Sequence, residues 1–148
     1  LIAAQAREQG IEAVFLSGDG AIDPTFLEIA GAAAEGSYFT FAPDVKNRPE
    51  AAETIAAYEK AYGELGPYSI YGYVAANILL EGIVRARSVE GVRVSETLHR
   101  ETFPTVLGNI AFDERGDTRV SPYVVYVARG GAFVQYTGLD GAPLAGAE

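Results

Sequence analysis

Cysteine is absent from the 148 residues. That removes disulfides, thiolate nucleophiles and cysteine metal sites together. It leaves the compartment open, because a cysteine-free chain folds in oxidising and reducing surroundings alike. Basic residues are scarce, 11 Lys and Arg against 20 Asp and Glu, for a net charge of -9. A chain of that sign repels phosphate backbones and anionic membrane surfaces, so nucleic acid is not expected as a partner. No apolar run approaches the ~20 residues that a membrane-spanning helix needs. His99 is the only histidine and lies in ETLHRE, with no second ligand at metal spacing, so it reads as a surface histidine. No nucleophile with its base stands out and no phosphate loop is found, so neither a catalytic set, a cofactor nor a metal is expected. What remains, 49% hydrophobic and 21% charged, is ordinary globular composition with enough chain for one modest core.

The chain opens LIAAQAREQG, which reads as the later part of a helix ending at Gly10. That helix has no capping residue in front of it, so the chain is expected to be the tail of a longer protein. IEAVFLS, residues 11–17, is an apolar run bounded by glycines and predicts a buried strand. Asp23 and Pro24 suit the cap and first position of a helix that Glu35-Gly36 stops, and SYFTF predicts the next strand. This alternation predicts an α/β layer with parallel strands. APDVKNRPE breaks the pattern. Asn47 with Glu50 resembles a capping box leading into AAETIAAYEKAY. A helix from Ser69 to Arg87 carries a wide apolar arc, which predicts that it is mostly buried. Ser95 is placed as the cap of a short helix, ETLHRETF, that stops before Pro104. NIAF predicts a strand and DERGD a polar turn. YVVYVAR and AFVQY predict a hairpin about Gly130-Gly131, and the end, TGLDGAPLAGAE, is expected to fray.

Gly18-Asp19-Gly20 stands where the first strand hands over to a helix. A dinucleotide loop needs a third glycine, but that position is Asp23, and two carboxylates repel a phosphate. Ligands of open α/β sheets sit outside the carboxyl ends of the strands, where Asp19 suits a cationic group such as an ammonium. Gly-Asp-Gly is also simply a good turn, and the residues alone leave both readings open. In GPYSIYGY, Tyr71 and Tyr73 are expected in the core, whereas Tyr68 lies in the turn and suits the wall of a small-molecule pocket. Arg115-Gly116-Asp117 spells an adhesion tripeptide, in a turn where Gly and Asp are expected anyway.

Taken in order, QAREQG, FLSGDG, IAGAAAEGSYFT, the broken APD segment, GPYSIYGYVAANILLEGI and FPTVLGNIAFDERGD carry a resemblance. The chain resembles the carboxyl-terminal part of the periplasmic branched-chain amino-acid-binding proteins, the leucine/isoleucine/valine receptors of ABC importers. The resemblance implies an α/β, type I periplasmic-binding-protein-like fold: parallel sheet layers flanked by helices, a carboxyl-terminal β-hairpin and an incomplete two-lobe architecture. Residues 1–42 and 119–148 then belong to the second lobe and 43–118 to the first. It implies that Asp19, held by Gly18 and Gly20, binds the α-ammonium of a branched-chain or related amino acid in an interlobe cleft. Asp stands where some relatives have Glu, so the shorter arm shifts the ligand or admits a water. Tyr68 is implied as the aromatic that covers the ligand side chain. The partners implied are the amino acid, a membrane permease, and either a missing amino-terminal part or a second copy of the chain; the location implied is periplasmic. The alternatives are a ligand-sensing receptor ectodomain of the same fold and, behind it, an α/β enzyme.

Overall fold

The computed structural model describes residues 1–120, 122–138 and 140–145. The chain divides into two compact units, one formed by Leu1–Pro43 with Pro122–Glu148 and the other by Asp44–Ser121.

The first unit holds α1 (Ile2–Glu8), β1 (Leu16–Ser17), α2 (Pro24–Ala30), β2 (Tyr38–Phe41), β5 (Val124–Arg129) and β6 (Ala132–Gln135). Its sheet runs β1-β2-β5-β6, with β1 and β2 parallel and the other two pairings antiparallel. Phe39 of β2 is fully buried and centres an aromatic cluster, with Phe26 and Phe133 each 5.1 Å away in edge-on geometry and Phe15 at 6.2 Å. Edge-on rings add to what their burial alone contributes. The hairpin of β5 and β6 turns at Gly130 and Gly131, both at positive φ, as the pair of glycines predicts. Glu35 accepts the Gly130 N–H at 3.0 Å and anchors that turn to the end of the helical segment.

Two expectations change here. Residues 11–17 do not form a buried strand: only Leu16 and Ser17 are laddered, and Ile11, Val14 and Leu16 are more than half exposed. Among the described residues β1 has one ladder partner, β2, so its other edge and its apolar side chains are uncovered. The expected fraying of 137–148 falls partly on 139 and 146–148, which lie outside the described residues. Within the described part Thr137 is buried, bridges Pro143, and accepts the Val125 N–H through its hydroxyl.

The second unit holds α3 (Ala52–Tyr62), α4 (Ser69–Ala86), α5 (Gly91–Arg100), β3 (Thr102–Thr105) and β4 (Gly108–Ala111), the two strands forming an antiparallel hairpin. Its core joins Ala51, Ile55, Ile70, Val74, Ile78 and Phe103. Gly82 lets α5 lie close against α4, since a Cβ there would come within 2.7 Å of Leu98 Cδ2. Arg85 ties α4 to the hairpin: it bonds Glu81 and Glu101, donates to the Thr102 carbonyl at 3.1 Å, and lies 4.7 Å above the Phe103 ring.

Three local signals are read differently by the folded chain. Asp44, not Asn47, caps the first turn after the break, accepting the Lys46 N–H at 2.9 Å. Pro49 holds Arg48 extended, at φ -105 and ψ 110, so no capping box spans that residue. Ser95 lies inside α5, which begins at Gly91, and Thr102–Thr105 is a strand. Finally, α4 is not mostly buried. Ile70, Val74, Ile78 and Gly82 face inward, while Tyr73, Leu79, Leu80 and Val84 are between 47% and 73% exposed.

Two substitutions test the cores. Phe103→Ala is expected to cost about 3–5 kcal/mol in urea unfolding, because it empties a fully enclosed site. Among the described residues the buried Ser37 hydroxyl has no hydrogen-bond partner. Ser37→Ala is therefore expected to leave stability unchanged or raise it by up to ~1 kcal/mol; a loss of that size would show that the hydroxyl is satisfied in solution.

Candidate functional site

The strand β1 ends at Ser17, and the chain leaves the sheet through Gly18 in an extended conformation, φ -81 and ψ -170. Asp19 then opens a single 3₁₀ turn, Asp19–Ala21, closed by the Ile22 N–H donating to the Asp19 carbonyl at 3.0 Å. Asp19 is exposed, and so are Gly18 and Gly20. Neither glycine has positive φ, and a Cβ built on either meets nothing within 4 Å. Backbone strain therefore does not require them. What they do is leave the backbone on both sides of the carboxylate bare.

Asp23 has a different task. It caps α2 by accepting the Thr25 N–H at 2.8 Å, with Pro24 at the first helical position. That bond to Thr25 holds the Asp23 carboxyl below the usual carboxylate range, because it favours the charged form. Of the two acids flanking the turn, Asp23 is committed to the helix and Asp19 opens the turn beside it.

Tyr68 lies in the second unit, at the N-cap position of α4, and is 47% exposed. The turn that presents it is tied twice: Ser69 N–H donates to the Gly66 carbonyl at 3.1 Å, and the Ser69 hydroxyl accepts the Gly66 N–H at 3.1 Å. The same hydroxyl meets the Tyr58 OH at 3.1 Å, which fixes the turn to α3. This serine clasp was missed in the sequence, although Gly-Pro-x-Ser is the signal for it: a hydroxyl three residues after a free N–H.

The other tyrosines divide. Tyr71 is half-buried beside an apolar groove of about 300 Å³, whereas Tyr73, expected in the core, is 47% exposed and lines a second groove of about 610 Å³. Asp19 and Tyr68 line neither groove. His99 is exposed and structural: a carbonyl only accepts, so Nδ1–H donates to the Asp113 carbonyl at 2.8 Å. Arg115-Gly116-Asp117 is held as a turn by Asp113, whose carboxylate accepts the N–H groups of Arg115 and Asp117. Among the described residues no His, Asp and Glu cluster could hold a metal, and no helix is long and apolar enough to cross a membrane.

The comparisons agree with one another. Residues 1–132 match the sequence profile of the periplasmic binding proteins. The chain is 37% identical over 137 residues to the Leu/Ile/Val-binding protein homolog 2 of Brucella abortus strain 2308, covering 92% of this chain and 37% of that one. A leucine-, isoleucine-, valine-, threonine- and alanine-binding protein of Pseudomonas aeruginosa is 31% identical, over 85% of this chain and 34% of its own. Among solved structures, a leucine-binding protein of Thermotoga maritima superposes with a TM-score of 0.78 at 33% identity, over 93% of this chain and 40% of that one. The chain thus spans well under half the length of these relatives.

The Asp23 cap predicts a pH signature. Its folded pKa is depressed, so the contribution of its charge is present above the unfolded value and is lost as pH falls through the folded one. Asp23→Asn keeps a cap acceptor without the charge. In melts followed by circular dichroism over about pH 2–6, the native chain is expected to lead Asp23→Asn at the upper end, with the gap closing on acidification. A gap independent of pH would assign the difference to something other than charge.

Proposed function

The chain belongs to the periplasmic binding protein family, and from that premise we propose that it serves the extracytoplasmic solute-binding component of an ABC importer. Its ligand is a branched-chain or related amino acid, its membrane partner the permease, and its location the periplasm. Residues 1–42 with 119–148, and residues 43–118, are the pieces of the second and first lobes respectively. Asp19 pairs with the ligand α-ammonium, Gly18 and Gly20 let the ligand approach its backbone, and Tyr68 covers the ligand side chain.

The observation that carries this reading is the exposed carboxylate of Asp19 in a bare turn at the carboxyl end of a strand with a parallel neighbour. That is where open α/β sheets place ligands, and a negative group there selects an amine-bearing one. The rigid Gly-Pro turn below Tyr68 supports the second role, since a clasped turn presents its ring at little entropic cost. The relatives' names, which specify leucine, isoleucine and valine and in one case also threonine and alanine, support a branched-chain or related amino acid.

The test uses this chain joined to the part of the Brucella abortus relative that it does not match, titrated with leucine, isoleucine and valine in a calorimeter. Asp19→Asn is expected to weaken binding by about ten- to a hundredfold, the usual worth of a hydrogen bond to a charged group. Unchanged affinity would remove Asp19 from the site. Gly18→Ala separates binding from folding. Its melting temperature is expected to match the parent or rise slightly, because the backbone there is extended and the added methyl has open space, while amino-acid affinity falls. A Gly18→Ala variant that binds as well as the parent would show that the ligand does not approach this backbone.

A further inference from the structure

The sequence has six aspartates, and two of them, Asp19 and Asp140, precede a glycine. The carboxyl of such an aspartate can close a five-membered imide on the next backbone nitrogen, because glycine has no Cβ to crowd the ring. The structure separates the two pairs. At Asp140 both reacting groups are engaged: the carboxylate accepts the Ala142 N–H at 3.0 Å, and the Gly141 N–H donates to the Gly138 carbonyl at 3.1 Å. At Asp19 the bonds that close the turn come from Ala21, at 3.4 Å to the Gly18 carbonyl, and from Ile22, at 3.0 Å to the Asp19 carbonyl. The Gly20 nitrogen takes part in neither. Asp19 and Gly20 are exposed, and a Cβ on Gly20 would meet nothing within 4 Å. Turning the Asp19 carbonyl until the Gly20 nitrogen meets Cγ disturbs two backbone bonds, one of them long, in a turn open to solvent. The other aspartates lack this arrangement. Pro24 after Asp23 has no N–H to give, Asp44 and Asp117 precede the β-branched Val45 and Thr118, and the Asp113 carboxylate is tied to two N–H groups.

We propose that Asp19-Gly20 is a self-modification site, at which the chain ages to an isoaspartyl linkage. The Gly20 nitrogen gives its proton to solvent, and its lone pair forms a bond to Cγ of the protonated Asp19 carboxyl. The Cγ–O bond breaks, and the departing hydroxide takes up a proton to leave as water. Water then adds to the imide. Attack at Cγ breaks the new N–Cγ bond and restores the aspartate. Attack at the main-chain carbonyl carbon breaks the original peptide bond and leaves the chain running through Cγ. One water is lost and one regained, and nothing is oxidised or reduced. The isomer has an extra methylene in its backbone, and the carbonyl that closed the turn with Ile22 becomes part of a free carboxylate on Cα. The modification rests on the turn alone; its effect on binding rests on the ammonium role proposed for Asp19.

The folded chain is aged at neutral pH and body temperature. Isoaspartate is read by methylation with a protein isoaspartyl methyltransferase and located by mass spectrometry of peptides. Label is expected at Asp19 roughly tenfold faster than at Asp140, where two engaged groups must first be released. Asp19→Glu is expected to abolish label at this site, because the ring would gain a member. Gly20→Ala is expected to slow it several-fold with the melting temperature kept, since the added methyl has open space. Label at Asp140 that matches or exceeds label at Asp19 overturns the proposal, as does label at Asp19 that Gly20→Ala does not slow, or that forms only in chain unfolded by urea. The joined chain used for calorimetry, aged in the same way, is expected to lose leucine-binding sites in proportion to its label. Label at Asp19 without that loss upholds the modification site and overturns instead the ammonium role of Asp19.

Discussion

Two ladder positions, Leu16 beside Tyr38 and Ser17 beside Phe39, decide where the chain leaves the sheet of the first unit. Everything proposed for the site depends on that short parallel pairing. Phe39 is fixed by the rings around it, β2 is fixed by its antiparallel partner β5, and β1 takes its register from β2. With the register set, Gly18 is the first residue free of the ladder and Asp19 the first carboxylate beyond it. The place of the acid follows from the ladder to a buried aromatic, and backbone strain does not require its glycines. That reverses the weight the glycines carry in the sequence: their backbone angles are open to any residue, and their use lies in what they leave uncovered.

Features that a few neighbouring residues determine were legible in the sequence. The Gly130-Gly131 hairpin, the Asp23-Pro24 helix start and the beginning of α4 at Ser69 all follow from local backbone chemistry. The misses share one cause. Asn47, Ser95 and the run 11–17 carry the right residue types, but a neighbour or a missing layer overrides them. Pro49 extends Arg48 and cancels the capping box. In α5 Val94 and Leu98 lie against Gly82 of α4, so the helix runs through Ser95 from Gly91. The apolar residues of 11–17 announce burial, and sequence pattern cannot say which layer does the burying.

The same distinction applies to the site. The position of Asp19 at a strand end was readable, because a strand, a turn and a cap are local. The clasp under Tyr68 was readable only in its local half, Gly66 to Ser69; its tie to Tyr58 was not, because Tyr58 lies on another helix. Nor was the division of the tyrosines. Tyr71 and Tyr73 are two residues apart on a helix and so point in different directions, one beside each groove.

Hydrophobic periodicity reports the surfaces a helix is selected to bury, whether or not one chain supplies them all. On α4 the inward and outward stripes both carry large apolar residues, yet among the described residues only the inward one is covered, and on β1 one edge is laddered while the other is not. The covered side of α4 joins a packed core, so its uncovered surface is not the sign of a loose one. A surface that is apolar, regular and adjacent to a rigid core has a low cost of ordering and a large gain on burial, which is the combination that docking requires. The mismatch between what the sequence prepares to bury and what the two units bury is thus itself a structural observation.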